Sequence, residues 1–108
     1  MSLVATLHSW HQENEESFRS AGAEPEFKDS GRGSACVRMQ TDAYLMEICA
    51  WDHAFCLDIR IVEKTPRETT FPRGGSCESM DDCRDYLDEF MVWFERKVAG
   101  NLQGPVRD

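Results

Sequence analysis

His8 and His11 lie three positions apart, and His53 stands three before Cys56; by type these are the residues best suited to hold a metal. Imidazole and thiolate are the usual donors for zinc, but a zinc site takes well-spaced ligands, usually four, and the chain has no Cys-x-x-Cys pair. Cys77 and Cys83 are separated by residues that open a helix, a poor ligand knuckle. A cysteine nucleophile is equally hard to support. Cys77 precedes a helix start, where the dipole favours a thiolate, yet Glu78, Asp81 and Asp82 beside it disfavour a second negative charge. Cys83 falls in an apolar stripe. The sequence therefore predicts no metal, no cofactor and no catalytic residue, and the chain does not read as an enzyme.

Carboxylates crowd the first half of the last helical segment, as Glu78, Asp81, Asp82, Asp85, Asp88 and Glu89, and Arg96-Lys97 end it. That distribution complements a helix dipole. It is a solvated face first, and also a dense negative patch open to a basic partner. Two aromatic features exceed what one core requires. Tyr86 and Trp93 widen the apolar arc of this helix to about 160° at ~100° per residue, and the surplus packs on the first helix or meets another chain. Trp51-Asp52, at a hairpin tip, reads as a core lid or an interface anchor.

These residues sit on elements that the spacing of apolar positions defines. Leu3, Leu7, Trp10, Asn14 and Phe18 mark a helix over Ser2 to Ser20, stopped by Gly22. Glu24 to Asp29 reads as a short strand and Ser30 to Ser34 as a loop. Ala35 to Gln40 alternates Ala35, Val37 and Met39 against Cys36, Arg38 and Gln40, a second strand that turns at Thr41-Asp42-Ala43. Tyr44 to Val62 folds back on itself at Asp52-His53. Its second arm places Phe55, Leu57, Ile59 and Ile61 on one face, with Cys56, Asp58 and Arg60 on the other. Lys64 to Arg67 turns, Glu68 to Phe71 is a brief edge strand closed by Pro72, and Arg73 to Ser76 breaks the chain. Ser79 caps a second helix whose stripe is Met80, Cys83, Leu87, Phe90, Met91, Phe94 and Val98, stopped by Gly100. The predicted fold class is α+β: an N-terminal helix, a four- or five-stranded mostly antiparallel sheet and a C-terminal helix, both helices on one sheet face. Residues 1–100 form a single domain, and 101–108 a flexible tail.

A chain of 108 residues with 41% hydrophobic content supports one core. Its net charge of -8 disfavours nucleic acid and anionic membrane surfaces, which demand positive charge, and suits a basic protein partner. Five cysteines cannot all pair within one chain. Cys36, Cys49 and Cys56 stand in strand patterns, where a reduced cysteine serves as a small hydrophobe. With no basic-then-apolar leader at the start and no long apolar run, the expected location is the reducing cytoplasm.

From Ala50-Trp51-Asp52, the strand before it, the Leu57-Asp58-Ile59 strand after it and the Ser-started helix beyond, a likeness emerges. The chain resembles the small immunity proteins of bacterial polymorphic toxin systems, in particular the TriTu-type immunity family. The likeness spans about Leu3 to Val98 in the order and length of elements. Where that family commonly carries a glycine after the tryptophan turn, this chain has His53-Ala54. The resemblance implies an antitoxin that binds a cognate toxin domain and blocks it by occlusion, without catalysis. A strongly acidic inhibitor suits a basic, nuclease-like toxin. The residues expected to meet it are Trp51, Asp52 and Asp58 together with Asp81, Asp85, Asp88 and Trp93 of the last helix.

Two other classes compete. A type III secretion-type chaperone for an effector is also small, acidic and α+β. Such chaperones carry a middle helix between strands, and nothing between Ala35 and Pro72 has helical period. A small metalloenzyme or redox protein is the third reading. Oligomeric state is open.

Overall fold

The structure, a computed structural model, describes residues 2–53, 56–64, 73–76 and 79–99, with backbone alone for 73–76 and 99. Helix α1 spans Leu3–Ser20 and is followed by strands β1 (Glu26–Asp29), β2 (Ser34–Gln40), β3 (Tyr44–Trp51), β4 (Cys56–Glu63) and β5 (Arg73–Ser76). Helix α2 spans Met80–Phe94 and continues as a π turn over Glu95–Ala99. The strands form one antiparallel sheet in chain order, β1 to β5. This is the α+β arrangement the sequence predicts, with five strands among the described residues.

Capping residues fix both helix starts. The Ser2 hydroxyl accepts from the Ala5 amide at 3.0 Å, and the Ser79 hydroxyl from the Asp82 amide at 3.3 Å. At the end of α1, Gly22 takes a φ of 86°, while Ala23 N donates to Phe18 O and Gly22 N to Arg19 O. Those two bonds are the Schellman closure, which a residue tolerant of positive φ permits.

Strand alternation sorts the sheet into two faces. Val37, Met39, Met46, Ile48, Ala50, Leu57, Ile59 and Ile61 point to one side and are buried. Leu3, Leu7, Trp10 and Phe18 of α1, with Cys83, Leu87, Phe90 and Phe94 of α2, join them in one cluster. Both helices therefore cover the same face. Phe18 meets Phe94 edge-on at 5.1 Å and Trp10 meets Phe90 at 5.9 Å, so the helices pack on each other as well as on the sheet.

Two details depart from the sequence reading. Arg73 to Ser76 is strand β5, pairing Ile59 with Arg73 and Cys56 with Ser76, where the glycines predicted a chain break. Hydrogen bonds from the edge of β4 outweigh the poor strand propensity of Gly74-Gly75. The surplus aromatic surface of α2 goes to the sheet: Trp93 stands edge-on to Tyr44 of β3 at 5.0 Å. Phe55, the Glu68 to Phe71 strand with Pro72, the turn through Arg67, Cys77, Gly100 and the 101–108 tail lie outside the described residues.

Candidate functional site

The sheet face away from the helices is crossed by regular rows of side chains. Register places Glu26, Arg38, Glu47 and Arg60 side by side on β1 to β4, a ladder of alternating charge. Within it Arg38 Nε donates to Glu47 Oε2 at 2.6 Å. Opposite charges on neighbouring strands stabilise such pairing modestly. The next row holds Lys28, Cys36, Cys49 and Asp58, and the row beyond holds Ser34, Trp51 and Cys56. On the other side of the ladder lie Gln40, Leu45 and Val62, with Leu45 42% exposed. A depression of about 420 Å³ there is lined by Leu45, Val62, Glu47, Arg38 and Arg60 among others. This face is close to charge-balanced.

The helix side has a different character. Asp81, Asp85 and Asp88 lie on α2 away from its buried stripe, and Glu13 and Glu16 project from α1. A groove of about 360 Å³ between the helices is lined by Ser2, Thr6, Ser9, Glu13, Arg84 and Asp88, with Trp10 and Leu87 beneath. The surplus negative charge of the described chain therefore sits on the helix layer.

The residues expected to meet a partner are split between these surfaces. Trp51, half-buried, and Asp58, exposed, share the open sheet face. Asp81, Asp85 and Asp88 are on the helix layer, with the sheet between the two sets. Trp93 is half-buried against Tyr44 and Phe90. Asp52 is committed to the fold, accepting from the Ser2 hydroxyl at 2.8 Å and the Val4 amide at 3.1 Å. Burial alone would raise its pKa. The hydrogen bonds from Val4, Ser2 and Leu3 outweigh burial and hold the carboxyl below its ordinary range.

The histidines do not gather with the thiols. His8 stacks on Phe27 at 4.5 Å and His11 lies 5.9 Å from the same ring, while His53 is exposed at the hairpin. His11 is 8% exposed, and neither ring nitrogen has a hydrogen-bond partner. Burial lowers its pKa, and the nearby His8 and Arg19 charges add to this against the opposing pull of Glu15.

Cys36 and Cys49 form a disulfide across β2 and β3, with Cα atoms 4.1 Å apart. This corrects the expectation that both are reduced, and it removes the cysteine argument for a reducing compartment. Cys56 and Cys83 are free thiols. The signal was present in the sequence: Cys36 lies as far before Thr41 as Cys49 lies after Tyr44, so a turn at Thr41 to Ala43 sets them opposite each other. Among the described residues no helix is long and apolar enough to cross a membrane.

No family model, no curated protein and no solved structure matches this chain.

Proposed function

We propose that the chain is a non-catalytic binding protein of the immunity type, which occludes a cognate toxin domain with its open sheet face. One observation carries the reading: both helices cover a single face of the sheet, leaving Trp51, Asp58, Leu45 and Val62 on the opposite face, which no other described element covers. An aromatic anchor among polar and charged neighbours is the composition that macromolecular interfaces favour. The acidic helix layer has a separate task, attracting a basic partner over distance. The toxin is of the basic, nuclease-like kind, and the working compartment is the cytoplasm of the producing cell.

Co-expression with the product of the reading frame immediately upstream tests this. A stable complex that silences the neighbour's toxicity, and that Trp51→Ala weakens at least about 30-fold as an interface anchor of ~2 kcal/mol would, supports the reading. A neighbour that neither binds nor is toxic sinks it. An obligate dimer that binds an effector without inhibiting it favours the secretion-chaperone reading.

A further inference from the structure

We propose that Cys36, Cys49 and Glu47 form a binding site for a thiophilic divalent cation of the zinc class once the disulfide is reduced, and that oxidation closes it. The donor atoms of these three residues all lie within 4.8 Å of one another. Their closeness comes from the sheet rather than from the sulfur–sulfur bond. Cys36 is the register partner of Cys49, and Glu47 precedes Cys49 by two on the same strand and so shares its face. That register is set by the core: Val37, Met39, Met46, Ile48 and Ala50 are buried on the opposite face. A slip of one residue by either strand would turn that strand's share of them to solvent. Thr41 N donates to Tyr44 O and Asp52 N to Gly33 O at the two ends of the β2–β3 pair. With that phase Cys36 and Cys49 occupy a non-hydrogen-bonded position, where opposing side chains stand closest. The reduced thiols therefore remain face to face.

Two thiolates and a carboxylate suit zinc, and three protein ligands leave one tetrahedral position for water. Arg38, bonded to Glu47 Oε2, orients that carboxylate as an outer-shell partner does. Asp58, the register partner of Cys49 on β4, adds negative charge beside the site. Cys36 is half-buried and gives an incoming ion access.

The steps balance. Reduction delivers two electrons and two protons to the sulfur–sulfur bond and yields two thiols, while a dithiol reductant is oxidised to its own disulfide. The cation then displaces both thiol protons to solvent. In the reverse step a disulfide oxidant takes two electrons from the two thiolates and becomes a dithiol, the sulfur–sulfur bond re-forms and the cation leaves to solvent.

Zinc titration of the protein, reduced and freed of reductant under anaerobic conditions, tests the proposal, with Co2+ as a spectroscopic probe of thiolate ligation. The reduced protein is expected to keep its circular dichroism and bind one ion per chain with thiolate-to-cobalt absorption. Cys36→Ser and Cys49→Ser should each weaken zinc by more than the ~10–100-fold that losing an outer-shell partner costs. Glu47→Gln should weaken it about tenfold, and Cys56→Ser should leave it unchanged. The oxidised protein should not bind. Equal zinc binding by the oxidised protein or by both serine variants overturns the proposal, as does a folded reduced protein with no affinity, or loss of the fold on reduction.

Discussion

Asp52 accepts a hydrogen bond from the Ser2 hydroxyl at 2.8 Å, joining residues fifty positions apart. With the bond from Val4 N to its other oxygen, the β3–β4 hairpin supplies a second cap to α1. A helix start leaves amides unpaired, and a carboxylate there satisfies one and complements the dipole. Asp52→Ala is expected to lower stability by about 1–2 kcal/mol, read from denaturant midpoints. Because folding depresses this carboxyl's pKa, the contribution is full above the ordinary value of 3.8 and fades as pH falls through the folded value. An alanine variant as stable as the parent at neutral pH would contradict the cap.

His11 lies buried beside Phe27 with both nitrogens unsatisfied, so its charged form is disfavoured in the fold. The sign follows from linkage. Stability is full above the ordinary histidine value of 6.5 and declines as pH falls from there toward the lowered folded value, because the unfolded chain takes the proton first. His11→Leu removes both the titration and the unpaired polar atoms, a change that is neutral or stabilising when shape is kept. Melting of parent and variant between about pH 7 and about pH 5 should show a flatter profile for the variant. Parallel profiles would contradict the assignment.

Leu87 and Phe94 are each 1% exposed on the buried stripe of α2. Truncating either to alanine removes transfer free energy and leaves a cavity, at a cost on the order of 2–5 kcal/mol. A midpoint unmoved by both substitutions would mean that α2 does not roof the sheet.

Much of this arrangement is legible from residue spacing because burial imposes a period on each element. The alternation of Val37 and Met39 with Arg38, and of Leu57, Ile59 and Ile61 with Asp58 and Arg60, identifies strands and their inner face. The step from Leu3 to Leu7 to Trp10 does the same for α1. The burial of His11 is not legible although it stands four after Leu7, because a titratable residue is not counted in an apolar stripe. The cap role of Asp52 is not legible because Ser2 and Val4 lie about fifty positions away, a pairing that local pattern does not contain. That the acids of α2 and Asp58 lie on different faces is hidden for the same reason. Asp58, Asp81, Asp85 and Asp88 are all exposed, and only the layer order places the sheet between them.

That separation gives the account its most direct test. Association and dissociation rates of the partner complex, measured at several salt concentrations, should distinguish Asp58→Lys from Asp85→Lys. With the open sheet face as the contact surface and the helix layer as the attractor, Asp58→Lys should speed dissociation. Asp85→Lys should slow association and flatten its salt dependence while leaving dissociation unchanged. Dissociation accelerated by Asp85→Lys and untouched by Asp58→Lys would place the contact on the helices and contradict the account.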